Sequence, residues 1–201
     1  MKQYQLLPLT GTEHEVNMPG DKSMAARIKK IAYIRCRGGS PLKEGIDRLA
    51  LPADCAAIRE QYPDGIMSCA YGCLGGGSCV SACRLNAISI EDGGPPAVDE
   101  GKCVGCGLCV KACPQGLIDL VAPVSNIQPA CSNADIGREA REACGNSCIA
   151  CRICEKNCPA DAIHVIDNRA VIDTAKCICC GMCAVRCPRG VIRDRYGIMT
   201  D

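Results

Sequence analysis

Phenylalanine and tryptophan are absent from these 201 residues, and tyrosine occurs only five times. A core built on large aromatic rings is therefore excluded, and the small apolar side chains need something else that is large and rigid to pack against. The same absence removes basic runs with interleaved aromatics, the usual footprint of nucleic-acid binding. Histidine occurs twice, as His14 in a polar leader and His164 in a predicted strand, where edge or surface roles are expected. No run approaches the roughly 18 apolar residues of a spanning helix. LIDLVAPV is about the longest, and Asp119 and Pro123 interrupt it. The first 22 residues also lack a charged segment followed by an apolar one, so no secretory signal is expected.

What is present in excess is cysteine, 21 residues of it. That is the level of a disulfide scaffold or a metal protein. An odd count leaves one thiol unpaired, and without a secretory signal the thiols are expected to stay reduced and free to bind metal. The formal charge of +1 counts every thiol as neutral. Five cubane clusters of roughly −2 each would bring it to about −9, so most Lys and Arg read as counter-charges.

The spacing decides between the two classes. CVGCGLCVKACP from Cys103 and CIACRICEKNCP from Cys148 both fit C-x2-C-x2-C-x3-C-P. CICCGMCAVRCP fits if Cys177, Cys180, Cys183 and Cys187 are taken and Cys179 is left out. CLGGGSCVSAC keeps Cys73, Cys79 and Cys83 in register but has Gly76 in place of the second cysteine and Arg84 in place of the proline. The copies come in two pairs, offset by 30 and by 29 residues. Between the members of each pair lie AISIEDGGPPAVD and AIHVIDNRAVID, which alternate apolar residues about a turn signal and predict hairpins.

This is the layout of a two-cluster bacterial ferredoxin written twice, in which three cysteines of one motif and the last of the other hold each cluster. Cys148, Cys151, Cys154 and Cys187 then form one set, and Cys177, Cys180, Cys183 and Cys158 another. Cys103, Cys106, Cys109 and Cys83 form a third. The fourth has Cys73, Cys79 and Cys113, with Cys69 the nearest candidate for the vacancy at Gly76. Cys36, Cys55, Cys131 and Cys144 remain for a fifth, scattered set. Cys179 is left over and reads as a small side chain pointing away from its cubane.

YIRCRGG, ADCAAI, SCAYGCLGGGSC and PACSNADIGREAREAC, together with the four motifs in order, resemble the B subunit of Rnf-type ferredoxin:NAD oxidoreductase complexes. The resemblance runs from about residue 31 to 192, and it supports a shared role for Cys36, Cys55, Cys131 and Cys144. It implies about five [4Fe-4S] clusters and partners among other redox subunits, such as a flavoprotein or a nicotinamide-binding subunit, or a soluble ferredoxin. Where that family carries a membrane anchor, this chain opens on a polar stretch of about 25 residues. Direct membrane insertion is therefore not expected, and the location reads as cytoplasmic, free or peripheral to a membrane complex.

The expected fold is α+β: two tandem ferredoxin-like modules, loop-rich, with an extra cluster-binding region. The chain divides into a partner-binding or disordered leader (1–30), a ligand-bearing segment (31–68), module one (69–122), a linker carrying ligands (123–145) and module two (146–201). The function read from closed four-cysteine sites is single-electron relay, with no catalytic residue. A second reading gives the chain an open, substrate-binding cluster at Gly76. A zinc or storage role has the cysteines but not the spacing of separated C-x2-C pairs. LGGGSC is not a phosphate loop, because the Lys and Ser/Thr of that motif are missing.

Overall fold

A computed structural model describes residues 29–91 and 93–197. The leader proposed over residues 1–30 lies almost wholly outside the described residues.

Secondary structure is sparse, as expected of a chain rich in glycine turns and motif loops. β1 (Ile31–Ile34) is followed by helix α1 (Cys55–Gln61) and the four-residue helix α2 (Ser78–Ser81). Strands β2 (Ile88–Ser89) and β3 (Ala97–Val98) form the first hairpin. Helix α3 (Leu108–Ala112) and strand β4 (Ile118–Val121) come next. The second half repeats the order: β5 (Ile127–Pro129), α4 (Gly137–Ala143), α5 (Ile153–Lys156), β6 (Ile163–Ile166), β7 (Arg169–Ile172), α6 (Met182–Val185) and β8 (Ile192–Asp194).

Among the described residues the sheets are four antiparallel pairs. β6 and β7 turn through Asp167 and Asn168, both at positive φ (47° and 60°), the backbone of the tight hairpin turns whose twist matches that of the strands they join. β1 pairs with β4, Ile31 opposite Val121, and β5 pairs with β8, Ile127 opposite Asp194. Each half therefore opens on a leading strand that pairs with its own closing strand. Segment 31–34 is an integral part of the first half, and 127–129, assigned above to a linker, is an integral strand of the second.

The cores follow the same division. Ile31, Ala32, Ala87, Ile88 and Ile118 pack with Cys79, Cys103 and Cys109, while Ile127, Ile163, Ala170, Ala184 and Ile192 pack with Cys154 and Cys183. A third, smaller cluster of Ile58, Ile66, Met67 and Leu74 holds α1 and Cys55 against the first half. Between the halves, Gly145 N–H donates to Gly39 O (2.9 Å), Tyr33 Oη–H to Gln128 O (3.2 Å) and Arg37 to Gly190 O (2.7 Å).

Candidate metal centres

The four motif loops share one backbone. The residue just before the second cysteine position is left-handed in every copy: Gly75 (φ 74°), Gly105 (67°), Ala150 (54°) and Cys179 (55°). The residue after it is left-handed as well, as Gly77, Gly107, Arg152 and Gly181, and the short helix carrying the third cysteine starts there. Three residues beyond the fourth cysteine a left-handed residue recurs, as Asn86, Gly116, Asp161 and Gly190. The amide that follows donates to the cysteine sulfur: Ala87 to Cys83 (3.3 Å), Leu117 to Cys113 (3.5 Å), Ala162 to Cys158 (3.3 Å) and Val191 to Cys187 (3.4 Å). The degenerate copy keeps this turn even with Arg84 where the others have proline.

The cysteines surround five cavities. Cys83, Cys103, Cys106 and Cys109 line one of about 290 Å³. Cys148, Cys151, Cys154 and Cys187 line a second, and Cys158, Cys177, Cys180 and Cys183 a third, as the three-plus-one sharing requires. Cys106, Cys151 and Cys180, the second cysteine of each regular motif, are solvent-exposed. Cys179 lines none of these cavities, although its side chain neighbours Cys177; its Sγ is 3.4 Å from Val124 O.

The remaining two cavities exchange two expected partners. The cavity bounded by Cys73, Cys79 and Cys113 receives Cys55, not Cys69. Asp54 caps α1, accepting from Ala57 N–H (2.9 Å) and Ser78 Oγ–H (2.8 Å), and Ser78 Oγ accepts from Cys55 N–H (2.7 Å). This clamp sets the start of α1 directly on Gly76. A Cβ there would stand 2.8 Å from Asp54 C and from Cys55 N. Gly76 thus makes room for the backbone that brings Cys55, and the corner left open by the motif is filled from 21 positions upstream.

Cys69 turns instead toward Cys36, Cys131 and Cys144, around a cavity of about 260 Å³. Its amide donates to Ser40 Oγ (2.8 Å), and Asn133 Nδ2 donates to its sulfur (3.4 Å). Two of these cysteines come from the segment following β1 and two from the segment following β5, so this site sits between the halves. Cys36 and Cys131 each stand two residues past a leading strand. Sequence reasoning missed Ser132 and Asn133, which line the same cavity. Their only signal was adjacency to Cys131.

Burial pushes the Cys73 and Cys183 thiols up to about 12, and Cys79, Cys131 and Cys154 to about 11, with neighbouring sulfurs adding in the same direction. Cys69, Cys109, Cys144 and Cys177 move up for the same first reason, burial. Such thiols are protonated at neutral pH, and a metal must displace those protons on binding. Among the described residues no three Cys, His, Asp or Glu side chains converge as ligands of one ion. Zinc needs that convergence at about 2.3 Å from each sulfur, whereas each cysteine of a cubane binds a different iron. Four thiols around a cavity, amides directed at sulfur, and no Asp or Glu among the described lining residues make a donor set that fits iron–sulfur clusters.

Comparison with known proteins agrees with this chemistry. A 4Fe-4S binding domain model matches residues 96–119. The B subunit of the Na(+)-translocating ferredoxin:NAD(+) oxidoreductase complex of Acetobacterium woodii is 42% identical over 151 residues, 74% of this chain and 44% of that protein. The chain is similar to B subunits of this kind. The B subunit of the ion-translocating oxidoreductase complex of Methanosarcina acetivorans is 35% identical, covering 74% of this chain and 56% of its own. Its counterpart in the proton-translocating ferredoxin:NAD(+) oxidoreductase complex of Clostridium ljungdahlii is 34% identical, covering 78% and 59%. The chain thus spans about half the length of the curated relatives it matches. No helix among the described residues is long and apolar enough to cross a membrane. His164, on β6, faces Glu155 Oε1 (3.3 Å) and Asp161 O (3.2 Å) and lines none of the five cavities.

Proposed function

We propose that the chain is a five-cluster electron relay in an oxidoreductase complex, with Cys83, Cys103, Cys106 and Cys109 at one end and Cys158, Cys177, Cys180 and Cys183 at the other. The observation that carries this reading is that each cysteine group adjoins the next, from one half to the other. Cys79 and Cys113 share a core with Cys83, Cys103 and Cys109. Cys73 edges both its own cavity and that of Cys36. Cys131 Sγ accepts the N–H of Cys148 (3.4 Å), which links the bridging site to the second half. Cys154 and Cys183 share the last core. A bound [4Fe-4S] cluster supplies one-electron uptake and release. The protein supplies four thiols at each site and the amides on sulfur, a closed donor set that keeps the reaction to electrons alone.

Redox subunits carrying flavin or nicotinamide, or a ferredoxin, fit as donor and acceptor, at a cytoplasmic location free or peripheral to a membrane. The relatives' names, ferredoxin:NAD(+) oxidoreductase subunits, support the choice. An open, substrate-binding cluster at Gly76 is not favoured, because Cys55 stands at that corner. Anaerobically purified protein is expected to hold about 20 iron and 20 sulfide, four of each per cluster. Near 16 would remove the bridging site from the relay, and zinc in place of iron would overturn the reading.

A further inference from the structure

The bridging cavity differs from the other four in its polar side chains. Asn133 is 1% exposed, and its amide is used at both ends: Oδ1 accepts from Asp135 N–H (2.7 Å) and Nδ2 donates to Cys69 Sγ (3.4 Å). Ser132 is 7% exposed, and its Oγ is buried without a hydrogen-bond partner. A buried hydroxyl that has given up water and gained no partner is unfavourable, which argues for an acceptor in the cavity it lines. The backbone adds N–H donors from Gly38 to Cys36 and from Asn133 and Cys148 to Cys131, each 3.4 Å.

Three guanidiniums line the same cavity: Arg35 is ion-paired with Asp119 (2.8 Å), which stands outside the lining, whereas no carboxylate lines the cavity beside Arg37 and Arg48. Arg37 and Arg35 are held in place by Gly190 O (2.7 Å) and Gly116 O (2.8 Å), and Arg48 by Gly93 O. The neighbouring Cys55 cavity has no charged side chain, and its one amide, Gln115, is turned away onto Ala70 and Gly72 carbonyls (3.0 and 3.1 Å).

Reduction of a cluster adds one electron, breaks no bond and needs no proton, so whatever stabilises extra negative charge on sulfur raises the potential. Hydrogen bonds to sulfur and nearby positive charge both do so. We propose that Asn133 and Ser132 are tuning residues that hold the bridging site, walled by Arg37 and Arg48, at a higher reduction potential than the Cys55 site beside it. The electron then rests between the halves before moving on. The inference depends on the five-cluster reading.

Potentiometric titration of the intact protein, followed by electron paramagnetic resonance, tests it. Cys36→Ala first identifies the bridging species as the one it removes, with iron falling from about 20 to about 16. Ser132→Ala and Asn133→Leu should both keep about 20 iron and lower that species' midpoint. The larger shift is expected for Asn133→Leu, about tenfold in the equilibrium, or about 59 mV for one electron. Should Asn133→Leu shed the bridging cluster, Ser132→Ala alone decides. A full iron count with an unmoved midpoint, or a bridging midpoint below that of the Cys55 site in the unmutated protein, would overturn the tuning role and leave the relay standing. If the unmutated protein holds about 16 iron, the five-cluster reading fails and the tuning role falls with it.

Discussion

Cys179 and Gly76 look like irregularities in the motif, and both are explained by backbone geometry. Cys179 occupies a left-handed position that Gly75 and Gly105 fill in the equivalent loops. A side chain there costs about 1 kcal/mol or more relative to glycine. Cys179→Gly is expected to keep about 20 iron and to raise the unfolding free energy by about 1 kcal/mol in denaturant titrations. Loss of iron would instead make Cys179 a ligand. At Gly76 the expectation is reversed. Gly76→Ala places a methyl 2.8 Å from the backbone of Asp54 and Cys55. It should therefore reproduce Cys55→Ala, with a three-iron signal or loss of about four iron at the Cys73 site. Cys69→Ala should spare that site and empty the bridging one. The opposite assignment of signals would restore Cys69 to the degenerate motif.

The leading strands are the elements whose role departs most from a linear reading. Ile127 on β5 is 1% exposed and packs with Ile163, Ile192, Cys154 and Cys183. Ile127→Ala is expected to cost about 2–5 kcal/mol. The loss should fall on the second half: during thermal unfolding the Cys148 and Cys177 sites should bleach before the Cys103 site does. Simultaneous bleaching would show that the halves unfold as one unit. α1 depends on Asp54, whose carboxyl is held below the usual carboxylate range, first by Ala57 N–H and then by Ser78 Oγ–H. Because the folded value is depressed, the cap is complete above the ordinary carboxylate value and is lost as pH falls through the lowered one.

In the whole molecule, exposure ranks the sites. Cys106, Cys151 and Cys180 are exposed, whereas Cys55, Cys69 and Cys144 are buried. A chelator working on the oxidised protein is expected to remove about 12 iron, from three clusters, before the remaining eight or so. A single phase would mean that exposure does not control access. The bridging site joins cysteine groups of the two halves. Cys144→Ala should therefore leave both halves reducible by dithionite yet abolish the reduction of one half by electrons delivered to the other, as freeze-quench spectroscopy would record.

Three cysteine groups, the two hairpins and the duplication were all legible in the chain, because their cysteines and turns lie within about 40 residues of one another at repeated spacings. Residue type and local backbone suffice there: glycine or a tolerated left-handed residue beside the second cysteine, a turn after the fourth, alternation between. The partners of Cys55 and Cys69 were not legible, since nearness along the chain favoured Cys69 for the gap at Gly76. Only the folded chain, with the Asp54 and Ser78 clamp seating α1 on a residue without Cβ, decided that Cys55 enters there. The bridging site is tertiary for the same reason. Cys36 and Cys69 come from one half and Cys131 and Cys144 from the other, and they meet because β1 and β5 each pair with the closing strand of their own half and turn the segments that follow toward each other.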